Sequence, residues 1–159
     1  MRALRALRDR RERTRTGRAL VTGVRLVEAA LRVDRVEELL FEALERRARS
    51  RAVPTRPVSG RVLEALSDVK TPQPVAAVVR LPPRVSLSSL RWRFLAVADG
   101  LQDPGNLGAL VRTAHAAGFD AVAVLPGGAD PFHPRALRGS AGSCLALPVV
   151  SATPGEVCA

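Results

Sequence analysis

The chain has 159 residues, 25 basic against 15 acidic, for a formal net charge of +10. Hydrophobic residues at 47% support a folded core, while no apolar run approaches the roughly 18 residues of a membrane span. Aromatics at 3% argue against a recognition surface built on stacked aromatics, like the platforms that hold single-stranded bases, and two cysteines make neither a disulfide framework nor a four-thiolate zinc site.

Residues 1–17 hold seven arginines and little apolar surface, so they read as a frayed basic helix or a disordered arm. No apolar stretch of signal-peptide type follows, and the expectation is a soluble cytoplasmic protein. Arg18 to Val21 reads as a short strand, Thr22-Gly23 as a turn, and Val24 to Arg32 as an amphipathic helix with Leu26, Val27, Ala30 and Leu31 on one side. Residues 36–49 have helical propensity throughout. Two prolines confine Val53 to Val58 to an edge strand or loop. Ser59 is a candidate cap for a helix over Gly60 to Leu66, and Val75 to Val79 reads as a buried strand.

The Pro- and Ser-containing stretch Leu81 to Ser89 is the best domain boundary. Beyond it the pattern gives a strand at Phe94 to Ala98, a helix at Leu107 to Ala117, a strand at Ala121 to Leu125, and a third strand at Leu145 to Val150. Strand–helix–strand order predicts a parallel sheet, because parallel strands need a crossover. The division is a basic arm (1–17), a first domain (18–81), a linker (82–93) and an α/β second domain (94–159).

Charge is segregated along this order. Residues 1–98 sum to +12 and residues 99–159 to −2, and Lys70 is the single lysine. A GC-rich coding bias explains arginine in place of lysine but not the segregation. Guanidinium pairs with phosphate in a planar fork, so the basic half points to nucleic acid, with Arg11, Arg13, Arg15, Arg18 and Arg25 as candidate RNA contacts. A membrane surface is the weaker partner, since no apolar helix face accompanies the charge.

The stretch from Asp99 to Ala114 carries the chemistry. It reads as a strand end, a tight Asp103-Pro104-Gly105 turn and a helix capped by Asn106, with Leu107, Leu110, Val111 and Ala114 as the buried stripe. Arg112 falls off that stripe, on a helix leaving the carboxyl end of a strand, where open α/β sheets place ligands. On pattern alone an Asn cap and a nearby Arg are ordinary structure, and no phosphate-binding glycine loop is present.

Asp103-Pro104-Gly105-Asn106-Leu107-Gly108, with Arg112-Thr113-Ala114 and Gly118, resembles the first motif of the SpoU/TrmH family of RNA ribose methyltransferases, of the SPOUT class. Pro131 to Ser143, with Arg138, Ser140 and Gly142, resembles the second motif, ending in Leu147-Pro148. Arg18 to Gly23, Val24 to Leu31 and Thr71-Pro72-Gln73 resemble the family's first half. The resemblance implies a small ribosomal-protein-like α/β substrate-binding domain, followed by the parallel sheet of a trefoil-knot domain. It also implies a strand then a helix from residue 36, against the propensity.

By the resemblance the reaction is methyl transfer from S-adenosylmethionine to a ribose 2′-hydroxyl of RNA, rRNA more than tRNA, by a homodimer without metal. Arg112 matches the catalytic arginine, Asn106 a residue that helps hold it, and Arg138, Ser140 and Gly142 the second-motif structure near the site. Guanidinium keeps its proton to a pKa above about 12, so base catalysis by Arg112 needs an unusual setting, whereas anchoring phosphate or stabilising an alkoxide does not. The later Gly-Glu-Gly and Ser-Leu-Asn loops, which form the knot and most of the cofactor pocket, have no counterpart in this sequence. The expectation is therefore a first half of the catalytic domain without cofactor-binding residues or knot, with an open sheet edge and unburied apolar residues at Val122 and from Leu145 to Val150. The alternative is a non-catalytic RNA-binding remnant of such an enzyme. Trp92, between Arg91 and Arg93, reads as packing before base stacking, Cys144 as a core residue and Cys158 as an exposed thiol.

Overall fold

The computed structural model describes residues 1–41, 53–67, 69, 71 and 73–158, in two compact units, Met1–Leu81 and Pro82–Ala159. The first unit begins with helices α1 (Arg2–Ala6) and α2 (Arg10–Thr16), then strand β1 (Arg18–Thr22) and helix α3 (Val24–Arg32). Strands β2 (Val36–Phe41) and β3 (Thr55–Pro57), helix α4 (Gly60–Leu66) and strand β4 (Val75–Arg80) complete it. The sheet order is β1-β4-β2-β3, with β4 antiparallel to both neighbours and β3 parallel to β2 at the edge.

Alternation along these strands sends Leu20, Leu40, Ala76 and Val78 to one face, where Leu4 and Leu7 of the α1 segment and Leu63 and Leu66 of α4 cover them. Ala19, Val21, Leu39, Ala77 and Val79 face the other way and are buried as well, and α3 packs on the sheet through Leu26, Val27 and Ala30. Burying each large side chain contributes on the order of 2 kcal/mol. Residues 1–17 are thus not a disordered arm. Leu4 and Leu7, three apart, make one apolar helical edge that a count dominated by arginine conceals.

Residues 36–41 are strand and not helix, as the family resemblance implied and propensity did not. Pairing with β4 and burial of Leu39, Leu40 and Phe41 outweigh the local preference of Glu37-Glu38-Leu39, while Arg18 and Arg80 pair with Glu37 at the surface. The helix expected after this strand lies outside the described residues. Ser59 stands at the cap position of α4, but its side chain makes no capping bond.

The second unit contains a single 3-10 turn at Leu87–Ser89, strand β5 (Leu95–Ala98), helix α5 (Pro104–Ala116) and strand β6 (Ala121–Val124). Helices α6 (Pro134–Gly139) and α7 (Ser143–Ala146), strand β7 (Val149–Ser151) and helix α8 (Pro154–Cys158) follow. The sheet is parallel throughout, ordered β5-β6-β7, and all four residues of its central strand are buried. Leu87, Ala123, Val150 and Ala152 form the core on one face, with Leu95 and Val157 against it.

Two expectations fail here. Leu145 and Leu147 do not lie in a strand: Gly142, at φ 90°, starts α7, and only Val149–Ser151 pairs with β6. Nor is this end unburied, since Val122, Leu145, Leu147 and Val150 are all at most 5% exposed. Of the large apolar side chains of the unit that are exposed, Trp92, Phe94 and Val97 lie on and just before the edge strand β5, and Val85 lies before the 3-10 turn.

Candidate functional site

Helix α5 leaves the loop after the carboxyl end of β5, and its start is set by Asp103 and not by Asn106. The Asp103 carboxylate accepts the Asn106 backbone N–H at 2.9 Å, with Pro104 as the first helical residue. Arg135 of α6 donates to the same carboxylate at 3.0 Å. The Asn106 amide first, and the Arg135 charge after it, hold the Asp103 carboxyl below its ordinary pKa. One side chain therefore fixes the helix start and ties the first motif to the second.

The two motifs also meet through glycine. A Cβ on Gly108 would lie 2.4 Å from the Ala136 carbonyl oxygen, and one on Gly139 would lie 2.9 Å from that of Gly105. Helices α5 and α6 approach so closely that only hydrogen fits at these positions. Ser140 is wholly buried. Its hydroxyl donates to the Leu137 carbonyl and accepts from the Cys144 backbone N–H, so it is a structural link and not a nucleophile. Gly142 supplies the left-handed turn into α7, and Arg138 is exposed on α6.

Arg112 is exposed on the outer side of α5, opposite the buried Leu107, Val111 and Ala114. Asn106 is exposed too, but it lies six residues earlier, about 9 Å along the axis and about a third of a turn away around it. The helix by itself does not bring these two side chains together. One turn beyond Arg112, His115 Nδ1 and Ser143 Oγ share a hydrogen bond of 3.1 Å. The sequence reading missed Asp103 and Arg135; an Asp directly before Pro at a helix start was the available signal for the first.

The candidate RNA contacts divide. Arg13 is 2% exposed and donates to the Leu7 and Arg8 carbonyls, at 3.2 and 2.5 Å, closing the turn between α1 and α2. It faces inward and is no phosphate contact. Arg15 is exposed and pairs with Glu12 in a two-pronged contact, at 2.6 and 3.0 Å. Arg18 pairs with Glu37 at 2.6 Å, while Arg11 and Arg25 are exposed. Gln73 Oε1 accepts the Val24 backbone N–H at 2.7 Å, so this one residue satisfies the first amide of α3.

Residues 93–158 match the family model described as SpoU rRNA Methylase family, and residues 1–77 match that of the MRM3-like substrate binding domain. The chain is 36% identical over 147 residues to the 23S rRNA (guanosine(2553)-2'-O)-methyltransferase RlmP of Bacillus subtilis, across 91% of this chain and 58% of that protein. It is 34% identical over 163 residues to the 23S rRNA (uridine(2479)-2'-O)-methyltransferase of Streptomyces viridochromogenes, across 95% of this chain and 57% of that one. The crystal structure of the SpoU methyltransferase AviRb from Streptomyces viridochromogenes, in complex with the cofactor AdoMet, superposes with a TM-score of 0.84 at 30% identity, over 99% of this chain and 64% of that one. The chain thus spans less than two thirds of the length of these proteins.

Proposed function

We propose that the chain, whose residues 93–158 match the SpoU rRNA Methylase family and whose residues 1–77 match the MRM3-like substrate binding domain, represents a member of that family that transfers a methyl group from S-adenosylmethionine to a ribose 2′-hydroxyl of rRNA. The observation that carries this is the exposed Arg112 on a helix whose start is locked at the sheet's carboxyl end by Asp103 and Arg135. The unit at residues 1–81 is the RNA-docking part, with Arg11, Arg15, Arg18 and Arg25 as its candidate phosphate contacts. Function as a homodimer in the cytoplasm belongs to the same proposal.

The donor supplies an electrophilic methyl group. Of the acids near the start of α5, Asp103 is committed to its cap and to Arg135, and Asp130 Oδ1 accepts the Phe132 amide, which leaves the exposed Asp99 just past the end of β5 as the carboxylate open to a hydroxyl or amino group of the donor. These residues do not make a donor site on their own, and no step here runs through the donor. Arg112 has a definable task without it. Its fork fits the phosphate beside the target ribose, and its charge stabilises the negative charge that develops on the 2′-oxygen as its proton passes to solvent water.

The test is transfer of labelled methyl to rRNA transcripts, with the modified position mapped at the ribose. Arg112→Lys keeps the charge and loses the fork, and the expected loss is about a hundredfold or more in rate. An Arg112→Lys protein at full rate overturns the assignment. Calorimetric titration of the chain with S-adenosylmethionine separates methyl transfer from RNA docking alone: intact RNA binding without donor affinity supports the latter for this polypeptide.

A further inference from the structure

Aromatic residues are scarce, five in the chain, yet three of them gather at the amino end of β5 and the turn before β6. Trp92 and Phe94 are 42% and 48% exposed. The Phe94 ring meets Phe119 at 6.1 Å between centroids, tilted by 52°, and the Arg93 guanidinium carbon lies 4.9 Å above the Phe94 ring. The backbone that presents them is fixed, since the amides of Arg93 and Phe94 both donate to one oxygen of Asp120, each at 2.8 Å. Arg91, also exposed, flanks Trp92 on its other side.

We infer that Arg91, Trp92, Arg93 and Phe94 form a base-stacking contact for single-stranded RNA, separate from the Arg112 surface. It rests on the proposal that RNA is the substrate. Half-exposed rings beside guanidinium groups suit a chain of bases joined by phosphates, with Trp92 and the edge of the Phe94–Arg93 pair offered to the bases and Arg91 to a phosphate. A second copy of this chain suits the patch less well. A twofold contact would press this patch, with Arg91 and Arg93, against the same patch of the other copy and bring like charges close together. The patch lies at the amino end of β5 and the Asp103 loop follows the carboxyl end, so the strand separates them by on the order of 13 Å. RNA held here would be a flanking segment, not the methylated nucleotide.

Trp92 is the one tryptophan and there is no tyrosine, so intrinsic fluorescence excited at the tryptophan band reports on this patch alone. The 159-residue chain is titrated with single-stranded oligouridylate carrying a terminal dye, following tryptophan emission and dye anisotropy together. The expected result is saturable quenching with the same midpoint as the anisotropy rise, a roughly tenfold weaker affinity for Trp92→Ala, and near-full affinity for Trp92→Phe. Unchanged circular dichroism melting of Trp92→Ala would exclude misfolding as the cause. Anisotropy that rises without quenching, or equal affinity in Trp92→Ala, overturns the stacking contact and leaves RNA docking standing. No anisotropy change at all overturns the RNA proposal itself. Emission that shifts on dilution of the protein alone, with dimer in sedimentation, assigns the patch to a second copy.

Discussion

Arg13 turns its guanidinium onto the carbonyls of Leu7 and Arg8, in a setting that excludes water. Removing it strands those acceptors, and Arg13→Ala is expected to lose roughly 1–3 kcal/mol in denaturant unfolding. RNA affinity measured where the variant is folded should stay within about twofold of the original, because this side chain reaches no phosphate. A large affinity loss with unchanged stability would place Arg13 on the RNA surface instead. The two thiols differ in the same way. Burial, more than any neighbour, raises the Cys144 thiol pKa to about 11, whereas Cys158 is exposed. At pH 8 only about one Cys144 in a thousand is thiolate. Iodoacetamide followed by mass spectrometry should therefore label Cys158 on the folded chain and Cys144 only after unfolding. Labelling of both at one rate would mean that the α6–α7 layer does not exclude solvent.

At the scale of elements, the crossing of α5 and α6 is the part of the site most sensitive to sequence. In an isolated helix Gly108→Ala would gain up to about 1 kcal/mol of propensity. Here its Cβ would meet the Ala136 carbonyl at 2.4 Å and the Ser140 nitrogen at 2.9 Å, both backbone atoms that cannot swing away. Overpacking of this kind costs about 1–3 kcal/mol, so a net lower thermal midpoint is expected, and a raised one would contradict the close crossing. The cap gives a pH dependence with a definite sign. Asp103 has a depressed pKa in the folded chain, so its contribution is present above the unfolded carboxylate value near 4 and is lost as pH falls through the lower folded value. Asp103→Asn keeps an acceptor and loses the charge. The stability gap between wild type and variant should therefore shrink on acidification below about pH 4 in parallel melting curves. A gap constant with pH would show that the charge contributes nothing.

These elements also show what sequence could and could not reveal. Helix α3 runs over the residues its apolar spacing marked, and β6 reads as strand because a short buried apolar run between Gly118 and Pro126 has no other use. Arg112 was recognisable as off the buried stripe. Strand β2 was legible only through the family resemblance, because Glu37 and Glu38 favour helix locally and pairing with β4 reverses that. The Asp103–Arg135 contact was hidden for a simpler reason: its partners are distant in sequence and meet only when α6 packs on α5. Arg13 was misread because exposure was assigned by residue type.

Across the whole molecule the question is how much of the +10 charge acts on RNA. Several arginines are already held by acids or carbonyls: Arg15 with Glu12, Arg18 and Arg80 with Glu37, Arg56 with Glu38, Arg135 with Asp103, and Arg13 inside the first unit. Exposed pairs of this sort contribute little to stability, but they lower the charge presented to a polyanion. Arg2, Arg5, Arg10 and Arg11 are exposed on α1 and α2, in the segment whose composition reads as a frayed basic helix or a disordered arm. If about five arginines contact phosphate, the logarithm of the affinity for single-stranded RNA should fall against the logarithm of salt with a slope of about −3.5. Replacing Arg10 and Arg11 with glutamine should flatten it by about 0.7 for each phosphate no longer neutralised. Replacing Arg13, turned inward, should leave the slope unchanged. A slope near zero for the intact chain would mean that its charge asymmetry has no part in RNA docking, and that affinity must come from stacking and hydrogen bonds. A steep slope unaffected by Arg10 and Arg11 would move the phosphate track off the two amino-terminal helices and onto another basic surface of the chain.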